Sequence, residues 1–151
     1  MKSIKKICIC SSGNFYKEVL EIDRELKRMG FATAIPHTAI AMKKSGDFEI
    51  AHYKTWHKDE KTFKRKAFLM RHHFRKIVAS DAVLVINLRK RDIDGYIGGN
   101  VLMEMAIGFF LKKPIYILND VSKDVGYYEE IAGMLPVFLR GDVKNLVTSN
   151  Q

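Results

Sequence analysis

The run Ala82-Val-Leu-Val-Ile-Asn-Leu88 constrains this chain more than any other segment. It is almost unbroken in apolar, largely β-branched residues, which predicts a strand buried on both faces, the situation of a central parallel strand covered by helices. Just before it, Phe63, Ala67, Met70, Phe74, Ile77 and Val78 recur at helical spacing, with Lys64, Arg65, Arg71, Arg75 and Lys76 opposite. That is an amphipathic helix laid against a sheet. A second unit of the same kind opens the chain. Ile4–Cys10 predicts a short buried strand, Phe15, Val19, Ile22, Leu26 and Met29 a helix stripe ended by Gly30, and Phe31–Pro36 a second strand. Further strands are expected at Ile115–Leu118 and Pro136–Leu139.

Strands alternating with helices, with few hairpin signals, give an α/β fold class. The expectation is one Rossmann-like, flavodoxin-like doubly wound parallel sheet of about five strands with helices on both faces. A chain of 151 residues with 47% hydrophobic content can bury one good core, so residues 1–151 read as a single domain. The segment from His37 to Glu60 lacks periodicity and is expected to be a long loop, or a loop with a short helix, lying over the site.

The apolar stretch behind the basic N-terminus is too short for a signal peptide or a membrane span, so a soluble, cytoplasmic protein is expected, with no membrane partner. The two cysteines, Cys8 and Cys10, share one face of the first strand, where a disulfide has poor geometry. They are expected to be buried thiols. No further cysteine or paired histidine completes a ligand set in sequence, so no metal and no cofactor is expected. Net charge is +9, and residues 1–76 hold eighteen Lys/Arg against eight Asp/Glu while the remainder holds eight against nine. Such an excess suits an anionic partner or a solvated lysine surface.

The chemistry concentrates in Asn100-Val-Leu-Met-Glu-Met-Ala-Ile-Gly-Phe-Phe-Leu111, apolar all round except at Glu104. This predicts a helix buried on most of its surface, with Asn100 as its N-cap and Gly98 and Gly99 letting the backbone approach a ligand. A buried carboxylate costs several kcal/mol unless it has a partner or a purpose. Glu104 is therefore either a capping or paired acid, or a nucleophile or general base set by desolvation. Ser11, Ser12, Gly13 and Asn14 lie between strand and helix, where backbone N–H groups can hold a phosphate or ribose. Asn87 and Asn119 end two strands and either bind a sugar hydroxyl or shape a turn. His73 falls at the border of its helix's apolar face, so it either reaches the site or stays on the surface. Tyr53, Trp56 and His57 either form an aromatic lid or anchor the insertion.

Three places together resemble the nucleoside 2-deoxyribosyltransferase-like superfamily, which includes deoxyribonucleoside 5'-monophosphate N-glycosidases. They are Ile7–Gly13, Ala79–Ile86, and Gly98–Ile115 with its Glu104 and Lys113-Pro114. The resemblance implies that Glu104 is a nucleophile toward an anomeric carbon and that Ser11, Ser12 and Gly13 hold the sugar or its 5' substituent. It also implies a nucleoside or nucleotide as the small-molecule partner and a homodimer or larger homo-oligomer, for which Phe109-Phe110 would suit a subunit contact. The chain departs from the family pattern at Gly98, at His73 and at Asn100-Val101, where an acid or serine, an Asp and Gly-Thr are usual. Asp92 and Asp94 are the nearest upstream acids. The alternative function is a non-catalytic nucleotide-binding or sensor protein keeping the same pocket. The basic helix from Lys61 to Lys76 carries no recognised nucleic-acid module, so nucleic acid is not the expected partner.

Overall fold

The structure, a computed structural model, describes residues 2–148. In chain order its main elements are β1 (Lys6–Ser11), α1 (Tyr16–Arg28), β2 (Ala32–Ala34), α2 (His37–Ser45), α3 (Phe63–Val78), β3 (Ala82–Ile86), α4 (Gly99–Phe110), β4 (Ile115–Ile117), α5 (Tyr128–Gly133), β5 (Val137–Phe138) and α6 (Asn145–Thr148). All strands are parallel, in the order β2-β1-β3-β4-β5. This is the doubly wound, flavodoxin-like arrangement expected from the sequence. Its strand order reverses between β1 and β3, and ligand crevices form at the carboxyl ends of such a pair.

Alternation along the strands divides the core in two. Ile7, Ile9, Leu84 and Ile86 point to a layer formed by Val19 and Leu26 of α1 with Leu139, Val143 and Leu146 near the C-terminus. Cys8, Cys10, Val83 and Val85 point the other way, onto Ile77 of α3, Val101 and Met105 of α4 and Ile131 of α5. The period-2 geometry of β1 thus aims both thiols at the layer that contains Glu104. Gly108 lets α4 approach the sheet closely, since a Cβ there would lie 2.8 Å from Cγ2 of Val83.

Two expectations are corrected, and a third is narrowed. The edge strands β2 and β5 are shorter than the apolar runs that signal them, because each has a ladder partner on one side alone. Residues 37–60 take the second of the two forms expected, a loop with a short helix: α2, closed by Gly46 at φ 73°, is followed by 3-10 turns at Ile50–His52, Thr55–His57 and Glu60–Thr62. Helix α4 is buried on one face only. Val101, Glu104, Met105 and Gly108 face inward, whereas Phe109 and Phe110 are 50% and 82% exposed, because α4 forms an outer layer that no other described element covers. No described helix is long and apolar enough to cross a membrane.

Candidate active site

The crevice at the ends of β1 and β3 is a cavity of about 280 Å³, and Glu104 lies at its floor, 4% exposed. The loop Ser11-Ser12-Gly13 forms one wall and Gly98-Gly99-Asn100 the other. Ile50, Tyr53, Lys54, Trp56 and His57, from the segment between α2 and α3, cover it. The insertion therefore lies over the site as expected, with Tyr53, Trp56 and His57 all facing the cavity.

Helix α4 starts at Gly99 with Gly98 in extended conformation as its N-cap, so Asn100 is released from the capping role assigned to it by sequence. Its side chain works inside the pocket instead. Nδ2 of Asn100 donates to Oε1 of Glu104 at 2.8 Å, and Oδ1 accepts from Nζ of Lys66 at 2.9 Å. Lys66 is in turn held 5.6 Å from the Trp56 ring centroid. One carboxylate oxygen is thus fixed through a relay, while Oε2 is buried without a hydrogen-bond partner. Burial pushes the Glu104 carboxyl above its ordinary range, opposed by the charge of His73 and then by the nearby Cys10 thiol.

His73 is the other buried polar residue at the floor, 5% exposed, with Nε2 4.0 Å from Oε2 of Glu104. It reaches the site because α3 lies directly on α4, so the border of its apolar stripe becomes interior. Sγ of Cys10 and Sγ of Cys8 lie 3.4 and 3.6 Å from the same Nε2. Burial works to lower the His73 pKa, but the hydrogen bond to Cys8 and the Glu104 charge outweigh it, and the net shift is upward. The neighbouring Cys10 and His73 bring the Cys8 thiol below its ordinary range, whereas burial drives Cys10 up.

Other expected residues fall outside the cavity. Asn14 is exposed and only accepts a hydrogen bond from Ser12 at 3.4 Å. Asn87 is wholly buried, its Nδ2 donating to the carbonyls of Asn119 (2.8 Å) and Gly95 (3.3 Å) and its Oδ1 accepting from the Asn119 N–H (2.9 Å). Both amide ends are taken up in joining two strand ends, the turn-shaping role that was one of the two expected of Asn87. Asp92 and Asp94 are solvent-facing partners of Arg89, far too exposed to replace an acid at Glu104.

Several cavity residues were not signalled by sequence. Tyr16 opens α1 against the pocket, and burial together with the Glu104 charge raises its phenol pKa. Lys90 donates to Oγ of Ser12 at 2.9 Å and lies 5.0 Å from the Tyr96 ring centroid. Lys54, Lys90 and Arg91 line the same wall. Burial followed by repulsion from the neighbouring cations lowers the pKa of Lys54 and of Lys90, and neither forms a salt bridge among the described residues. These cations come from loops, where charge patterning gives no positional signal. Only the fold brings residues 54 and 90 together.

Comparison of the chain with known protein families and with curated proteins returns no match.

Proposed function

We propose that this protein cleaves or transfers across the N-glycosidic bond of a nucleotide, with Glu104 as nucleophile. The observation that carries the reading is the asymmetry of Glu104. One oxygen is clamped by Asn100, and the other is buried without a hydrogen bond, 4.0 Å from Nε2 of His73, at the floor of a cavity open to a ligand. A carboxylate so arranged is desolvated and oriented, which is what attack on a sugar carbon requires. The sequence resemblance supports the same role for Glu104.

The rest of the cavity fits the remaining parts of such a substrate. Lys54, Lys90 and Arg91 beside Ser12 and Gly13 suit a 5'-phosphate, which would satisfy an otherwise uncompensated cation cluster. Trp56, Tyr16, Tyr53 and Tyr96 offer rings to the base and sugar. In the first step Oε2 of Glu104 forms a bond to the anomeric carbon, and the C–N bond breaks with its electron pair leaving on the base, which takes a proton. Water or a second base then attacks the same carbon and releases the carboxylate. The reading includes a homo-oligomer, with the exposed Phe109 and Phe110 as its contact surface.

Incubation with a panel of deoxynucleosides and their 5'-monophosphates tests the proposal. Base release by the wild type and none by Glu104→Ala is expected. Equal release by both, or none by either, would overturn it; thermal stabilisation by nucleotides without turnover would move the assignment to a binding protein.

A further inference from the structure

Behind Glu104 lies a second constellation that glycosidic chemistry does not require. Cys8 and Cys10, two residues apart on β1, aim their sulfurs at one nitrogen of His73 on α3. A single imidazole nitrogen has one lone pair or one N–H, so it cannot form good hydrogen bonds with both thiols at once. The three ligand atoms lie within 4.8 Å of one another, all on buried residues. Oε2 of Glu104, also buried and without a hydrogen bond, lies beside them.

The spacing has a specific meaning. Around a tetrahedral zinc ion, with sulfur at about 2.3 Å and imidazole nitrogen at about 2.0–2.1 Å, a sulfur and a nitrogen stand about 3.6 Å apart. The observed separations are 3.4 and 3.6 Å. A nitrogen and a carboxylate oxygen on the same ion stand about 3.4 Å apart, so about half an ångström of side-chain movement would bring Glu104 from its 4.0 Å into the fourth position. Two thiolates, an imidazole and one exchangeable fourth ligand form a donor set suited to a soft or borderline cation.

We propose that Cys8, Cys10 and His73 form a binding site for zinc, or a cation of the same thiophilic class, with the fourth position facing Glu104 and the pocket. Zinc enters from the cavity, which His73 and Glu104 both line. Zinc takes the place of the protons held among Cys8, Cys10 and His73 and releases them to solvent, so that both sulfurs ligate as thiolates and His73 ligates as a neutral imidazole through Nε2. For the reaction proposed above, the ion would hold Glu104 away from an anomeric carbon, so zinc is an inhibitor. The metal site itself stands on geometry and does not depend on that reaction.

The test reads metal, not turnover. The full chain is stripped with a chelator under reducing conditions, titrated with zinc and separately with cobalt(II), then desalted and assayed for bound metal. One zinc per chain is expected, with a thiolate-to-cobalt charge-transfer band and a tetrahedral cobalt spectrum. Cys8→Ser, Cys10→Ser and His73→Gln, each first verified as folded without metal by circular dichroism, should each lose the tight zinc and the band. Absence of bound zinc and of the band in the wild type overturns the proposal, as does unchanged zinc binding in the cysteine variants. If any variant fails to fold, the wild-type cobalt spectrum decides alone, since the charge-transfer band requires thiolate ligation and the two cysteines are the chain's only thiols. Base release by the metal-free wild type reports on the glycosidic reading separately.

Discussion

Asn100 and Glu104 are bonded to each other across one turn of α4, Nδ2 to Oε1 at 2.8 Å, and both side chains face the cavity. The same spacing on an exposed helix face would contribute only a few tenths of a kcal/mol. Here it fixes which oxygen of a buried carboxylate is free. Asn100→Ala should leave the fold intact and lower base release about ten- to a hundredfold, the equivalent of about 1.5–3 kcal/mol for a hydrogen bond to a charged group. The loss should fall on kcat more than on KM, because the bond orients the attacking group without touching the substrate. Unchanged kcat in Asn100→Ala would show that Glu104 does not need its clamp.

The uncompensated cations at the cavity wall predict discrimination between nucleosides and nucleotides. Lys54→Gln and Arg91→Gln should each raise KM for a 5'-monophosphate about tenfold while leaving the corresponding nucleoside unaffected, since one charge-assisted bond is removed. The monophosphate advantage should also shrink as salt rises, because this wall is only partly buried. Comparable losses for nucleoside and monophosphate would place the phosphate elsewhere.

The fold was legible where a single periodicity dominates. The unbroken apolar run of β3 and the stripes of α1 and α3 specify parallel strands under helices without reference to any partner. Glu104 was equally visible, being the lone charge in an apolar helix. What sequence could not give is proximity. His73 is 63 residues from Cys10 in the chain, and only the stacking of α3 on α4 and the pleat of β1 bring its ring to that sulfur. Asn87 was left between two readings for the same reason. A polar residue at a strand end suggests a ligand contact, but its neighbour across the sheet, Asn119, takes up its hydrogen bonds. The bounds of α2 were not legible, because a short helix following Pro36 and partly covered by its neighbours needs only Thr38, Ala39 and Met42 inside, too few to set a period.

Asp81 gives a pH prediction independent of function. Its carboxyl is held down to about 2 by Lys2 and by the backbone N–H groups of Lys5 and Lys6, at 3.0 and 2.9 Å. Lys2 is 85% exposed, so the two N–H bonds, which tie the start of β1 to the end of α3, carry most of the stabilisation. A depressed carboxyl stabilises the fold above its ordinary pKa of 3.8 and loses that contribution as pH falls through about 2. Asp81→Asn should therefore cost about 1–2 kcal/mol at neutral pH. Urea unfolding at a series of pH values should show the gap between variant and wild type closing from about pH 4 to about pH 2. A gap that stays constant over that range would contradict the assignment.

Gly108 offers the sharpest test of the packing that supports the site. In an exposed helix, alanine in place of glycine would stabilise by about 1 kcal/mol. At position 108 the new methyl would meet Cγ2 of Val83 at 2.8 Å, with Cγ1 of Ile115 at 4.0 Å on the other side. Val83 is β-branched and fully buried in β3, so it cannot swing away without disturbing the sheet. Overpacking should outweigh the propensity gain, and Gly108→Ala should lose about 1–3 kcal/mol in denaturant unfolding. The cause can be separated from a general helix effect by shortening the opposing residue. Val83→Ala alone leaves a cavity, but combined with Gly108→Ala the two changes fill one another's defect, so the double variant should be more stable than additivity gives, by about 0.5–3 kcal/mol. Strict additivity would mean that α4 does not depend on this contact for its close approach to β3, and the position of Glu104 would then have to be set by Asn100 and His73 alone.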